Sequence, residues 1–92
     1  MPEVGSLVES LGITVRQLRV LRGLSQEQLA ERSELNRSYV GEIERGQVAA
    51  SIVTLQKLGL ALDTNAAGLL LRCEHLEQVR SDRLVSLAAI AG

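Results

Sequence analysis

The chain has no Phe, no Trp and a single Tyr, Tyr39, among 92 residues, although 46% of them are hydrophobic. A core without aromatics has to be assembled from Leu, Val, Ile and Ala. This favours packed helices over strands, which recruit aromatic and β-branched side chains. One cysteine, Cys73, excludes an internal disulfide. No apolar run exceeds the six residues of Ala66 to Leu71, far short of a membrane span, and no basic-then-apolar leader is seen. These absences predict a soluble, cytoplasmic protein with no membrane partner. Charge of one sign is missing too: 10 Lys and Arg stand against 11 Asp and Glu, for a formal net charge of -1 and a pI near 5.8. Bulk charge therefore gives no support for a nucleic-acid partner, and any basic surface has to come from placement.

Catalytic equipment is equally sparse. There is one His, no glycine-rich loop, and the carboxylates are scattered over the predicted helix surfaces, which reads as a non-enzyme without cofactor. His75, beside Glu74 and Glu77, lacks the further ligands that a metal site needs. Cys73 reads as a small apolar packing residue, since reactivity would need neighbours that lower its pKa.

What is present is helical periodicity. Leu7, Val8, Leu11, Val15, Leu18 and Leu21 recur at helical spacing, interrupted only by Gly12, and predict a helix over about 6–22 that Gly23 stops. Ser25-Gln26-Glu27-Gln28 has the form of a capping box and opens a second helix that ends near Ser33. Asn36 is a good N-cap for a third, in which Val40 and Ile43 face inward while Arg37, Ser38 and Glu42 face the other way. Ser51 caps a fourth, with Ile52, Leu55, Leu58 and Leu62 as its inward stripe and Val53 and Leu60 off it. Asp63-Thr64 is read as the cap of a fifth helix running to about Arg72. The remaining segment has Leu76, Val79, Leu84, Leu87 and Ile90 at amphipathic spacing but is interrupted by the charged run 80–83. The expected fold is all-α and five-helical: residues 1–72 form one domain, and 73–92 a short, helical C-terminal extension that serves dimerisation or a protein partner.

A helix-turn-helix needs a small residue where its helices approach, an apolar plug in the turn and apolar residues beneath the second helix. Ala30, Leu35, Val40 and Ile43 supply these in order and leave the outer face of the third helix free to enter a groove. From Leu11 to Leu70 the chain resembles the lambda-repressor-like (Xre-type) helix-turn-helix family. The resemblance is carried by VRQLRVLRGLSQEQLAERS, then LNRSYVGEIERG, then TLQKLGLALD. It implies a five-helix DNA-binding domain acting on double-stranded DNA.

Residue by residue, the resemblance implies that Arg37, Ser38 and Glu42 face base edges. Arg37 would pair with guanine and Glu42 accept from a cytosine amino group. Gln26, Tyr39, Arg45 and the following Gln47 match positions that meet the sugar-phosphate backbone, which position without specifying. Arg19 and Glu44 match a buried pair tying the first helix to the third. Two positions depart from the family. Glu34 stands where Gly or Asn is usual, at a cost of about 1–2 kcal/mol if the position is left-handed. The segment after Gly46, Gln47-Val48-Ala49-Ala50-Ser51, lacks the usual basic residues and Pro.

The expected function is a sequence-specific transcriptional regulator, a homodimer on a roughly palindromic operator, with restriction-modification controller proteins the subtype that LNRSYVGEIERG most resembles. Such controllers both activate and repress from their own promoters. Dimerisation is assigned to Val53, Leu60, Leu69, Leu70 and Leu71, which exceed what a core of this size can bury. Two alternatives use the same residues: an antitoxin whose tail after Cys73 folds onto a toxin, and a protein-interaction module that has lost DNA binding.

Overall fold

Four of the five described helices start at a local side-chain bond to the backbone. The structure, a computed structural model, describes the backbone of residues 4–91 and the side chains of residues 7–90. Its helices are α1 (Val4–Leu21), α2 (Gln26–Ser33), α3 (Arg37–Glu44), α4 (Ile52–Ala61) and α5 (Ala66–Ala91), with no strand among the described residues. At α2 the Gln28 amide donates to Ser25 Oγ (3.0 Å) and the Ser25 amide to Gln28 Oε1 (2.8 Å), a complete capping box. Asn36 Oδ1 accepts from the Ser38 amide (2.8 Å) at α3, and Ser51 Oγ from the Thr54 amide (3.1 Å) at α4.

The core is aliphatic. Val15, Leu29, Val40, Leu58, Leu62 and Leu69 are fully buried, with Ile43 and Cys73 all but so, and Leu11 and Leu18 close around them. Burying each such Leu, Ile or Val contributes about 1.5–3 kcal/mol. α1 packs against α3 and α5, α4 against α2 and α5, and α2 against α3. Gly12 does not interrupt α1. It is the point where α1 and α3 touch, because a Cβ there would collide with the Ile43 carbonyl oxygen and lie 2.8 Å from that of Glu44. Between α2 and α3, Glu34 is indeed left-handed (φ 56°, ψ 41°), and the following Leu35 donates its amide back to Ala30 O (2.9 Å) while its side chain packs on the core.

Four expectations need correction. Ile52 is not part of the buried stripe: as the first residue of α4 it lies 81% exposed, and the inward set is Thr54, Leu55, Leu58, Ala61 and Leu62. Asp63 does not begin the fifth helix but takes a left-handed conformation (φ 61°) that turns the chain, and the cap is Asn65, whose Oδ1 accepts from the Gly68 amide (2.7 Å). α5 does not stop near Arg72 but continues unbroken to Ala91. Finally, the charged run 80–83 does not break it, because Arg80 is an anchor.

That anchor is a polar cluster joining α1 to α5. The fully buried Ser10 donates to Glu77 Oε2 (2.6 Å) and accepts from Arg80 Nη1 (2.6 Å), and Arg80 Nη2 donates to Glu9 Oε2 (3.0 Å). One turn earlier, the Cys73 thiol donates to Leu7 O (3.4 Å). Beyond the cluster, residues 82–90 of α5 are all exposed, including Leu84, Val85, Leu87 and Ile90.

Candidate nucleic-acid interface

α3 carries the candidate site, and its orientation is set from beneath. Val40 and Ile43 anchor its inner side in the core, which forces Arg37 and Ser38 to the solvent and leaves Glu42 half-exposed on the same outer side. The helix is also held at its end by Glu44, whose side chain is only 3% exposed. Glu44 Oε2 accepts from Arg19 Nε (2.6 Å), and Oε1 accepts from both Arg19 Nη2 (3.1 Å) and Gln26 Nε2 (3.0 Å). Arg19 Nη1 reaches on to Leu24 O (2.8 Å), so one guanidinium links α1, α3 and the loop before α2. A bidentate arginine–carboxylate pair fixes orientation as well as distance.

Gln26 is thus turned towards Glu44 rather than free in solvent, which braces the start of α2 against the end of α3. Tyr39 is half-buried on the core, with its hydroxyl 3.3 Å from Thr54 Oγ1. Arg45 and Gln47 are exposed and meet one another, Arg45 Nε donating to Gln47 Oε1 (3.3 Å). Arg16, Arg19, Gln26, Glu44 and Arg45 line a single recess of about 270 Å³. Sequence reasoning did not single out Arg16, although its three-residue spacing from Arg19 puts it on a neighbouring face of α1 and is the signal that could have found it.

Cys73 is inert by position. Burial pushes its thiol up to about 11, Glu74 and Glu77 add to the rise and Arg80 opposes it. Among the described residues no group of three or more His, Cys, Asp or Glu is placed to hold a metal ion, and no helix is long and apolar enough to cross a membrane. Of the residues assigned to dimerisation, Val53, Leu60 and Leu71 are well exposed and Leu70 partly so. Leu69 is not available, since it is fully buried in the monomer core, a correction that follows from the 100° rotation between consecutive helical residues.

The fold and the outward α3 define a DNA-binding regulator of the helix-turn-helix class, a non-catalytic family. Residues 15–69 match the HTH_3 helix-turn-helix family model, and the chain belongs to that family. It is similar to the control protein C.SmaI of Serratia marcescens, 45% identical over 64 residues that cover 70% of this chain and 76% of that protein. Among solved structures it resembles the restriction-modification controller protein C.AhdI from Aeromonas hydrophila. The identity is 48% and the TM-score 0.65, covering 67% of this chain and 94% of that one. It also resembles the clp gene regulator ClgR from Corynebacterium glutamicum, with 28% identity and a TM-score of 0.82 over 91% of this chain and 88% of that one.

Proposed function

We propose that the protein is a homodimeric transcriptional regulator of the controller type, acting in the cytoplasm on a roughly palindromic operator with one α3 in each of two successive major grooves. The observation that carries this reading is the exposed pair Arg37 and Ser38 on the outer side of a helix whose inner side is locked into the core. Arg37 reads a guanine edge, Ser38 an adjacent base, and Glu42 a cytosine amino group. Gln26, Tyr39, Arg45 and Gln47 meet phosphates and sugars, and Arg16 adds a charge at the same recess. Placement thus compensates for a net charge of -1.

The controller subtype is supported by the identity to C.SmaI and C.AhdI. Dimerisation uses the faces of α4 and α5 turned away from the core. Val53 and Leu60, seven residues apart, share one side of α4, and α5, which packs against α4, adds Leu70 and Leu71. The test is selection of bound fragments from random-sequence duplex DNA, followed by titration of the enriched duplex at several salt concentrations. The expected result is an enriched site with two related halves about one helical turn apart. Recovery of no preferred sequence, or binding that does not weaken with salt, contradicts the proposal.

A further inference from the structure

Gly41 is an awkward residue for its place. It lies in the interior of the eight-residue α3, where Gly is less favourable than Ala because it retains the most freedom in the unfolded chain. It is also four residues from both Arg37 and Arg45, so the three share one stripe of the helix. Those two neighbours are exposed, yet Gly41 is buried. What lies against it is the head of Arg45: a Cβ built on Gly41 would sit 2.9 Å from Arg45 Nη1 and 3.6 Å from Cζ and Nη2. The Arg45 side chain leaves the C-cap of α3 and folds back along the helix, with its Nε held by Gln47 Oε1 (3.3 Å).

We propose that Gly41 is a positioning residue for DNA binding: its missing side chain is the seat in which the Arg45 guanidinium rests, aimed along the outer stripe of α3 at the DNA backbone. The inference builds on the reading of Arg45 as a phosphate contact. The three nearest atoms that a methyl group at 41 would meet all belong to the far end of a flexible side chain, which can swing away without disturbing the helix. Gly41→Ala therefore separates two effects: the fold gains a better helix former while the guanidinium loses its resting place.

The experiment compares the wild type, Gly41→Ala, Arg45→Ala and the double variant. Each is measured by thermal melting and by fluorescence anisotropy on the enriched operator duplex at two or more salt concentrations. Gly41→Ala is expected to melt at or above the wild-type temperature and to bind about tenfold more weakly, the order of one charge-assisted contact. The slope of log affinity on log salt should flatten by about one unit. In the Arg45→Ala background the same substitution should cost nothing further.

A loss of equal size in both backgrounds would mean that the added methyl obstructs the DNA itself, and would overturn the seat. So would unchanged binding by Gly41→Ala when Arg45→Ala does bind weakly, and so would a melting temperature well below wild type. If Arg45→Ala binds as tightly as the wild type, the phosphate reading of Arg45 fails, and this inference falls with it.

Discussion

Removing the Glu44 carboxylate should unfold the protein well before it affects any contact with DNA directly. The Glu44 side chain is 3% exposed and accepts three hydrogen bonds, two from Arg19, whose side chain is 14% exposed, and one from Gln26. Glu44→Ala leaves the Arg19 guanidinium partly buried with Leu24 O as its remaining partner, an uncompensated charge of the kind that costs about 3–5 kcal/mol. In a domain of this size each kcal/mol is worth about 4–8 °C in melting temperature, so a drop of about 12 °C or more is expected. Differential scanning calorimetry or thermal circular dichroism measures it. Because the two side chains act on each other, Arg19→Ala combined with Glu44→Ala should lose less than the sum of the single losses. An unchanged melting temperature for Glu44→Ala, or strictly additive losses, would refute the reasoning.

Glu34→Gly should raise stability by about 0.5–1 kcal/mol, because relief of the left-handed strain at φ 56° exceeds the extra unfolded-state entropy of Gly; a chemical denaturation midpoint that falls would contradict this. Cys73 should make stability decline at high pH. The unfolded thiol ionises near its ordinary value of 9.0 while the folded one holds its proton to about 11, so stability is complete below the first value and falls as pH rises towards the second. Melts at pH 8 and pH 10.5 should show a smaller decline for Cys73→Ala than for the wild type. Leu60→Asp should place a charge in the proposed dimer face and shift sedimentation from dimer to monomer without lowering helical content, since Leu60 is 65% exposed in the monomer.

Local chemistry was the legible part of this chain. Ser25, Asn36 and Ser51 announce their helices through bonds to residues two or three positions on, and the Val40–Ile43 spacing alone turns Arg37 and Ser38 outward. The pair Arg19 and Glu44 came from the family resemblance, because nothing in residues 25 positions apart announces a contact. The cluster of Ser10, Glu77 and Arg80 was missed for the same reason, its members lying 67 and 70 positions apart. It did leave a trace: Ser10 sits between the apolar Leu7 and Leu11, and Glu77 one turn after Cys73 on the buried stripe of α5. A polar residue on an apolar stripe asks for a buried partner. Reading the charged run 80–83 as a break mistook that partner for a solvated segment. Treating Leu69 to Leu71 as one patch ignored helical rotation, which sends the first of the three into the core.

The central claim is that α3 reads bases through one arginine and grips the backbone through another, and one titration tests it most directly. Arg37→Ala and Arg45→Ala are measured against wild type on the operator duplex and on a scrambled duplex, over a range of salt concentrations. Arg37→Ala should cost about 1–3 kcal/mol on the operator and little on the scrambled duplex beyond its general charge. Arg45→Ala should weaken both duplexes alike and flatten the salt slope by about one unit. Equal losses on the two duplexes for Arg37→Ala would contradict base reading by this face of α3.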